Sequence, residues 1–238
     1  MDNNNSNLNI SKDEFNKIRF NKCPNSKWLK DYKSKLISLS KIQEEAAIGL
    51  MLGDASLQTQ NKGKTFRIKF EWGDKNKEYA DHVCELFKEW ILSPPHKKVR
   101  TNVNGRVVVT WGFQTISHSA FNRLNELFLI NKTKSISNNL IKNHLTPRGL
   151  SYWFMDDGGK LDYNKMTKNK GLIFNTHSFR EEEVESMSIE LSAKFNLKTN
   201  VRLNKNKHVI AISSDSYNEF VNLTNSYIIS SMRYKLPN

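Results

Sequence analysis

The sequence is poor in cysteine, in paired histidines and in long apolar runs. Its two cysteines, Cys23 and Cys84, exclude a disulfide framework and suit a reducing compartment. Its six histidines are scattered without the spacing of a metal-ligand pair, which argues against zinc. No run approaches the roughly 18 consecutive apolar residues of a membrane span. The N-terminus shows neither an apolar secretion segment nor an early Arg-rich import pattern.

Negative charge is also scarce. Lys and Arg number 37 against 24 Asp and Glu, which gives a formal net charge of +13 and a pI near 9.6. Such an excess indicates a polyanionic partner or an acidic membrane surface. Because the chain has no apolar span, nucleic acid is the favoured partner. At 238 residues the chain could form one large domain or two of ordinary size.

One short pattern occurs twice. Residues 47–55 read Ala-Ile-Gly-Leu-Met-Leu-Gly-Asp-Ala, and residues 150–158 read Leu-Ser-Tyr-Trp-Phe-Met-Asp-Asp-Gly, so that the two apolar runs close on Asp54 and Asp157. A carboxylate at the carbonyl end of a helix is unfavourable, and two neighbouring carboxylates repel each other. A divalent cation would relieve both costs, and paired carboxylates in a basic protein therefore predict a metal-dependent nuclease. The alternative is two ordinary core helices whose acids cap the following turn.

Repetition in register favours the nuclease. The spacing from Asp54 to Lys134 is nearly equal to the spacing from Asp157 to Lys235. Between each aspartate and its lysine the same order of elements recurs, which indicates two fused copies. The predicted domains are an N-terminal extension with an accessory helix at 26–39, two repeats and a linker between them; their bounds are 1–43, 44–130, 131–145 and 146–238. The segment 1–20 is expected to be loose.

Each repeat is predicted to be an αββαββα unit, and the whole an α+β fold. In the first repeat Phe66, Ile68, Phe70 and Trp72 alternate with charged residues, so one strand face is apolar and the other basic. The other elements expected here are a helix at 76–92, strands at 97–102 and 106–114, and a helix at 117–129. In the second repeat we expect a helix at 146–157, a loop at 163–170, a strand at 171–177, a helix at 180–195, strands at 198–204 and 207–213, and a helix at 216–229. Gly158 is read as a helix stop signal.

Neither repeat by itself offers an apolar surface on which its first apolar helix could pack. Packing the two apolar helices on each other solves this for both, and the small residues Ala47, Gly49, Gly53 and Ser151 would permit close approach. This arrangement predicts two antiparallel four-stranded sheets side by side, forming a concave basic saddle on duplex DNA with the acids at its centre. Tyr152 stands where Gly49 stands in the first repeat, so the helix packing is expected to be asymmetric.

These motifs resemble those of the two-repeat LAGLIDADG homing endonucleases. The resemblance rests on Phe-Glu-Trp (70–72), Ser-Pro-Pro-His-Lys-Lys (93–98), Trp-Phe-Met-Asp-Asp-Gly-Gly-Lys (153–160) and Tyr-Lys-Leu-Pro-Asn (234–238). The resemblance covers nearly all of the chain after position 20. It is strongest for family members that are encoded by introns of mitochondrial large ribosomal RNA genes. It implies a mitochondrial monomer that cuts both strands of a long asymmetric DNA target, leaves short 3′ overhangs, and uses two or three Mg²⁺ ions, which Mn²⁺ can replace.

The resemblance also implies roles for single residues. Asp54 and Asp157 would bind the metal ions with help from the backbone carbonyls of Gly53 and Asp156. Lys134 and Lys235 would polarise the scissile phosphates or orient water. The polar residues Glu71 and Asn175 would reach the site from the second strand of each repeat. The expected DNA contacts are Arg67, Lys69, Lys97, Lys98, Arg100, Lys160, Arg202 and Asn204.

Three other functions stay open at this stage. Relatives with this architecture act as maturases that bind their intron RNA and assist its splicing, a role that does not need the two acids. A catalytically inactive DNA-binding protein is a second alternative, which the intact Asp and Lys positions disfavour. A generic RNA-binding module is a third, although the strands lack the aromatic pattern of an RRM.

Overall fold

A computed structural model of the chain describes residues 26–130, 133–162 and 169–237. The chain divides into two compact units. The described part of the first comprises residues 26–40 and 56–122, and that of the second comprises residues 41–55 and 123–237. The first apolar helix therefore belongs to the same unit as the second apolar helix, although it precedes the first sheet in the chain. The segment 1–20 and much of the predicted 163–170 loop lie outside the described residues.

The helices and strands follow in chain order. The helices are α1 Lys27–Lys35, α2 Lys41–Leu52, α3 Lys77–Leu86, α4 Asn122–Phe128, α5 Leu140–His144, α6 Pro147–Asp157, α7 Glu181–Phe195 and α8 Tyr217–Thr224. The strands are β1 Ser56–Gln58, β2 Arg67–Gly73, β3 His96–Thr101, β4 Val107–Gln114, β5 Leu129–Ile130, β6 Thr133–Lys134, β7 Gly158–Lys160, β8 Leu172–Phe174, β9 Thr199–Asn204 and β10 Lys207–Ile212. None of the described helices has the length and apolarity that crossing a bilayer requires.

The first unit contains a four-stranded antiparallel sheet of order β1-β2-β4-β3. The predicted alternation on β2 is confirmed, because Ile68, Phe70 and Trp72 are buried while the charged residues between them are partly exposed. The Trp72 ring packs edge-on against Tyr79 of α3, with ring centroids 5.0 Å apart. Helix α3 is shorter than predicted. It ends at Leu86, and a 3₁₀ turn, Lys88–Trp90, follows.

The second unit contains the matching antiparallel sheet, of order β7-β8-β10-β9, which confirms the predicted α+β class with two four-stranded sheets. Three predicted elements differ in extent. Strand β8 stops at Phe174, and the N–H of the next residue, Asn175, donates to the Asp157 carbonyl at 2.9 Å. The last helix, α8, stops at Thr224. The described part of the predicted linker holds secondary structure: strand β6, which pairs with β5 immediately before the linker, and helix α5.

The two apolar helices, α2 and α6, pack on each other as predicted, and glycine on each side makes this possible. A Cβ added to Gly49 would lie 2.0 Å from the carbonyl oxygen of Gly149, and one added to Gly149 would lie 2.9 Å from that of Glu45. The backbones therefore meet at a glycine pair. Ser151, predicted to help this approach, instead donates to the carbonyls of Pro147 and Thr224, at 2.7 and 3.3 Å.

Gly158 ends helix α6, but not by the mechanism that the sequence predicts. Its φ of −77° and ψ of 160° are extended, so no left-handed stop is formed. A Cβ at this position would instead lie 2.0 Å from the Phe154 ring. The glycine is therefore required by the close approach of an aromatic side chain.

Candidate active site

The site is built in the second unit, at the ends of α2 and α6. Asp157 is the last residue of α6, whereas Asp54 lies just beyond α2, in a turn closed by Gly53 N–H donating to Gly49 O at 3.1 Å and Ala55 N–H donating to Leu50 O at 3.0 Å. The structure brings the two carboxyl groups close enough to interact. Burial, together with the charge of Asp54, raises the pKa of Asp157 to about 7.

Both predicted lysines reach this carboxyl pair. Burial raises the pKa of Asp54, while Lys235 and Lys134 act in the opposite direction. Burial lowers the pKa of the Lys134 ammonium. The charges of the surrounding carboxylates raise it, Asp157 most of all, but burial has the larger effect. The site thus combines two carboxyl groups with two ammonium groups that interact with them; Asp54 is exposed, whereas Asp157, Lys134 and Lys235 are half-buried.

Each lysine contacts its own repeat in the same way. Lys134 Nζ donates to the carbonyl oxygen of Gly53 at 2.6 Å, and Lys235 Nζ donates to that of Asp156 at 2.6 Å. In both cases the acceptor is the residue immediately before the repeat's aspartate. The nearly equal Asp–Lys spacings in the sequence therefore correspond to two pseudo-symmetric contacts.

The two halves differ at the residue before each aspartate. The Asp156 carboxylate accepts a hydrogen bond from the Asp54 backbone N–H at 3.0 Å. Gly53 occupies the equivalent position in the first repeat, and a Cβ there would lie 2.4 Å from the Asp156 carboxylate. Sequence reasoning assigned a role to the Asp156 carbonyl but missed this side-chain contact. The only signal was the mismatch of Gly53 with Asp156 between the repeats.

Asn175, a predicted site residue, contacts the backbone of the second aspartate, and its catalytic role stays a prediction. Its side-chain amide donates to the Asp157 carbonyl at 2.9 Å, in addition to the hydrogen bond from its own backbone N–H. Two hydrogen bonds on one carbonyl hold the end of α6 against the second sheet. Asn175 therefore fixes the position of Asp157.

Glu71, its predicted counterpart, lies in the first unit among basic side chains. Its carboxylate accepts hydrogen bonds from Lys98 at 2.8 Å and Thr110 at 2.9 Å, and from Arg100. Burial opposes ionisation, but these groups outweigh it and hold the pKa of Glu71 at about 2. These contacts make Glu71 the counter-ion of a basic sheet face, and its catalytic role stays a prediction.

The predicted DNA-contact residues lie on both sheets. Arg67, Lys69, Lys98 and Arg100 share the outer face of the first sheet with Glu71, whereas Lys97 pairs with Trp111 and lies on the opposite face. On β9, Arg202 and Asn204 lie on one face, and Arg202 pairs with Asp162 at 3.1 Å. Lys160 lies half-buried on β7 opposite Leu172.

The oxygen atoms at the site suit a hard divalent cation as ligands. Carboxylate oxygens of Asp54 and Asp157 and the carbonyl oxygens of Gly53 and Asp156 are the ligand type that Mg²⁺ and Ca²⁺ accept. Within residues 26–130, 133–162 and 169–237 no cluster of three or more His, Cys, Asp or Glu suits a metal ion. Two carboxylates beside lysines in a basic protein are the arrangement expected of a nuclease that hydrolyses phosphodiesters with metal ions.

Comparison with known proteins gives the family. The model of the LAGLIDADG DNA endonuclease family matches residues 44–220. A probable intron-encoded endonuclease 1 from Wickerhamomyces canadensis is 48% identical over 213 residues, which cover 90% of this chain and 91% of that protein. The cytochrome b mRNA maturase bI2 of Debaryomyces hansenii is 30% identical over 205 residues, covering 84% and 75%. Among solved structures, the homing endonuclease I-WcaI bound to its DNA recognition sequence has a TM-score of 0.89 and 46% identity, covering 94% of this chain and 98% of that one.

The chain belongs to the LAGLIDADG DNA endonuclease family and is a DNA endonuclease.

Proposed function

We propose that this endonuclease makes one double-strand break in a long asymmetric DNA site, the intronless mitochondrial large ribosomal RNA gene, and leaves short 3′ overhangs. The observation that carries the proposal is the pair of Lys–carbonyl contacts beside the two aspartates. One chain then supplies one Asp–Lys set for each DNA strand, so the enzyme acts as a monomer on double-stranded DNA. The relative I-WcaI is bound to its DNA recognition sequence, which supports this partner.

Metal ions, Mg²⁺ with Mn²⁺ as a substitute, would be held by the carboxylates of Asp54 and Asp157 and the adjoining carbonyls. A bound divalent ion activates water and offsets negative charge on the leaving oxygen. Because burial and the charge of Asp54 raise the pKa of Asp157 to about 7, its carboxyl group is partly protonated at neutral pH. A bound cation would favour its ionised form.

Lys134 and Lys235 would act on the scissile phosphates. Each ammonium is held next to a carboxylate, in a place where the charge that develops on a phosphate in the transition state is stabilised with little reorganisation. Burial lowers the pKa of Lys134, which strengthens its ammonium as a hydrogen-bond donor to a phosphate oxygen. Asn175 would orient Asp157 through the Asp157 carbonyl.

A second candidate function is help in splicing of the host intron RNA. The observation in its favour is the Debaryomyces hansenii relative, which is named as an mRNA maturase and is 30% identical. RNA binding of this kind would not need the two aspartates. The names of the relatives, intron-encoded endonuclease and cytochrome b mRNA maturase, also support a mitochondrial origin for this chain.

The test is cleavage of DNA that spans the intronless large ribosomal RNA junction, with Mg²⁺ present, followed by mapping of both ends. We expect one break with short 3′ overhangs, no cleavage of the same gene with the intron inserted, and no double-strand break by Asp54→Asn or Asp157→Asn while DNA binding persists. Full cutting by either variant would refute the assigned site. Binding to intron RNA by a variant that no longer cuts would establish the second function separately.

A further inference from the structure

One short segment of the second unit contacts both an aspartate and a lysine of the site. It is residues 175–183, the connector that joins β8 to the first turn of α7. At its start, Asn175 bonds the Asp157 carbonyl twice. The connector then turns, with the Phe179 N–H donating to the Thr176 carbonyl at 3.1 Å, and ends at Glu183.

Glu183 holds the chain immediately after Lys134. It is only 7% exposed, and its side chain accepts hydrogen bonds from the Ser135 hydroxyl and from the Ile136 N–H, the latter at 3.1 Å. It also accepts from the Arg180 N–H at 2.9 Å, which ties the same carboxylate to the start of α7. Burial disfavours the charged form, but these bonds outweigh it and keep the pKa of Glu183 below its ordinary value. A charged, buried group thus fixes the backbone next to Lys134.

Phe179 contacts the other end of the same lysine. The Lys134 ammonium lies over the Phe179 ring, 5.4 Å from its centroid, while donating to the Gly53 carbonyl. Phe179 itself is 8% exposed. A free lysine samples many rotamers. Here its backbone is fixed through Glu183 and its ammonium through Phe179 and Gly53, which is the preorganisation that a catalytic group needs.

We propose that Glu183 and Phe179 are positioning residues for Lys134, and that the Phe179–Glu183 part of the connector sets the geometry of the half of the active site that contains Lys134. The inference rests on the role proposed above for Lys134. The two repeats differ here. In the register that makes Asn175 the counterpart of Glu71, the positions equivalent to Glu183 and Phe179 hold Tyr79 and Lys75, so the first repeat has no carboxylate at the former and no aromatic ring at the latter. Replacing Glu183 or Phe179 should therefore slow mainly the cleavage of the DNA strand that Lys134 serves.

The first test needs no DNA. Lysine labelled with ¹³C at Cε gives one resonance per side chain, and Lys134→Arg assigns that of Lys134. We expect Phe179→Leu to remove the ring-current shift of this resonance and Glu183→Ala to move or broaden it, with Glu183→Gln closer to the wild type because it retains one acceptor oxygen. The exposed Glu182→Gln in the same helical turn is the matched control and should change nothing. An unmoved Lys134 resonance in both Phe179→Leu and Glu183→Ala would overturn the inference.

The second test measures the two strands separately, on the junction DNA labelled at either 5′ end. Lys134→Met identifies the strand that Lys134 serves. Because misplacing a catalytic group by about 1 Å costs up to about a hundredfold, we expect Glu183→Ala and Phe179→Leu to slow that strand between about ten- and a hundredfold and to spare the other. Glu183→Gln should restore most of the rate.

Two contrary results are distinguishable. If Lys134→Met slows one strand but Glu183→Ala slows neither, or both equally, the positioning role is wrong while the proposed function stands. If Lys134→Met leaves both strands at the wild-type rate, the proposed role of Lys134 is wrong and the inference falls with it. Thermal unfolding of each variant separates a local effect from loss of the fold, since an unfolded enzyme loses both strands together.

Discussion

The substitution Gly49→Ala tests how the two apolar helices hold the carboxyl pair. Its new methyl group would lie 2.0 Å from the Gly149 carbonyl oxygen and 3.0 Å from the Trp153 backbone nitrogen, where ordinary contact begins at 3.4 Å. Both neighbours are backbone atoms, so no side-chain rotation can relieve the clash. Helix α2 must move away from α6.

Two opposing terms set the size of the effect. Alanine is about 1 kcal/mol better than glycine in a helix interior. Overpacking a buried site costs about 1–3 kcal/mol, and a contact against rigid backbone belongs at the upper end. The net loss is then about 2 kcal/mol, which for a protein of this length lowers the Tm by roughly 4–8 °C. Gly149→Ala should cost less, because one of its two nearest neighbours is the flexible Leu145 side chain, 3.0 Å away.

The assay is thermal unfolding of Gly49→Ala, Gly149→Ala and a control, Gly73→Ala. A Cβ at Gly73 meets nothing within 4 Å, and its φ of −62° suits alanine, so this variant should match the wild type. Gly49→Ala should also lose double-strand cleavage, since Asp54 lies at the end of the displaced helix. A Tm for Gly49→Ala equal to or above that of the wild type would refute the reasoning, because helix propensity would then outweigh the predicted clash.

Three further outcomes follow from the contacts described above. Folding raises the pKa of Asp157, so the folded metal-free protein binds the carboxyl proton of Asp157 more tightly than the unfolded chain does. The protonated carboxyl group therefore contributes most to the free energy of unfolding at acid pH, and this contribution is lost as the pH rises to about 7. Tm measurements across this range should show the trend in the wild type and its loss in Asp157→Asn. Glu71→Gln removes the counter-ion of Lys98 and Arg100, so the affinity for non-specific DNA should rise. The slope of log K against log salt should also become steeper, by about 0.9 for each additional phosphate that the protein neutralises. Loss of cleavage of one strand at unchanged affinity would instead support a catalytic role for Glu71. Asp156→Ala removes the acceptor of the Asp54 N–H and should weaken cleavage by the first half of the site, measured as a strand-specific rate against wild type.

Much of the site could be predicted because two sequence patterns have direct geometric meaning. Strict alternation along β2 determines which face is buried, since side chains point to opposite sides in turn. The repeat determines equivalent positions, so the nearly equal Asp–Lys spacings predicted that both lysines reach equivalent places. Lys134 and Lys235 indeed bond equivalent carbonyls. Neither inference needed the path of the intervening chain.

Other features depend on contacts between distant residues, which no local pattern contains. Gly149 is the partner of Gly49, but it lies outside the repeated motif, immediately before it. Gly158 was predicted to stop a helix through its backbone freedom, whereas its role is to leave room for Phe154. Glu183 looks like an ordinary acid in the first turn of a helix. Its bonds to Ser135 and Ile136 join parts of the chain that are far apart in sequence.

The differences between the two halves bear on the order of strand cleavage. A pair of identical half-sites would hydrolyse both strands at one rate, as in a symmetric dimer. Here the residues before the aspartates differ, Gly53 against Asp156, and the chain after the first lysine is held on Glu183, whose equivalent in the first repeat is Tyr79. Because transition-state stabilisation depends steeply on placement, unequal supports should give unequal rates. On junction DNA labelled at either 5′ end, one strand should therefore be cut faster than the other. Equal strand-specific rates on the wild-type enzyme would show that these contacts do not influence the chemical step.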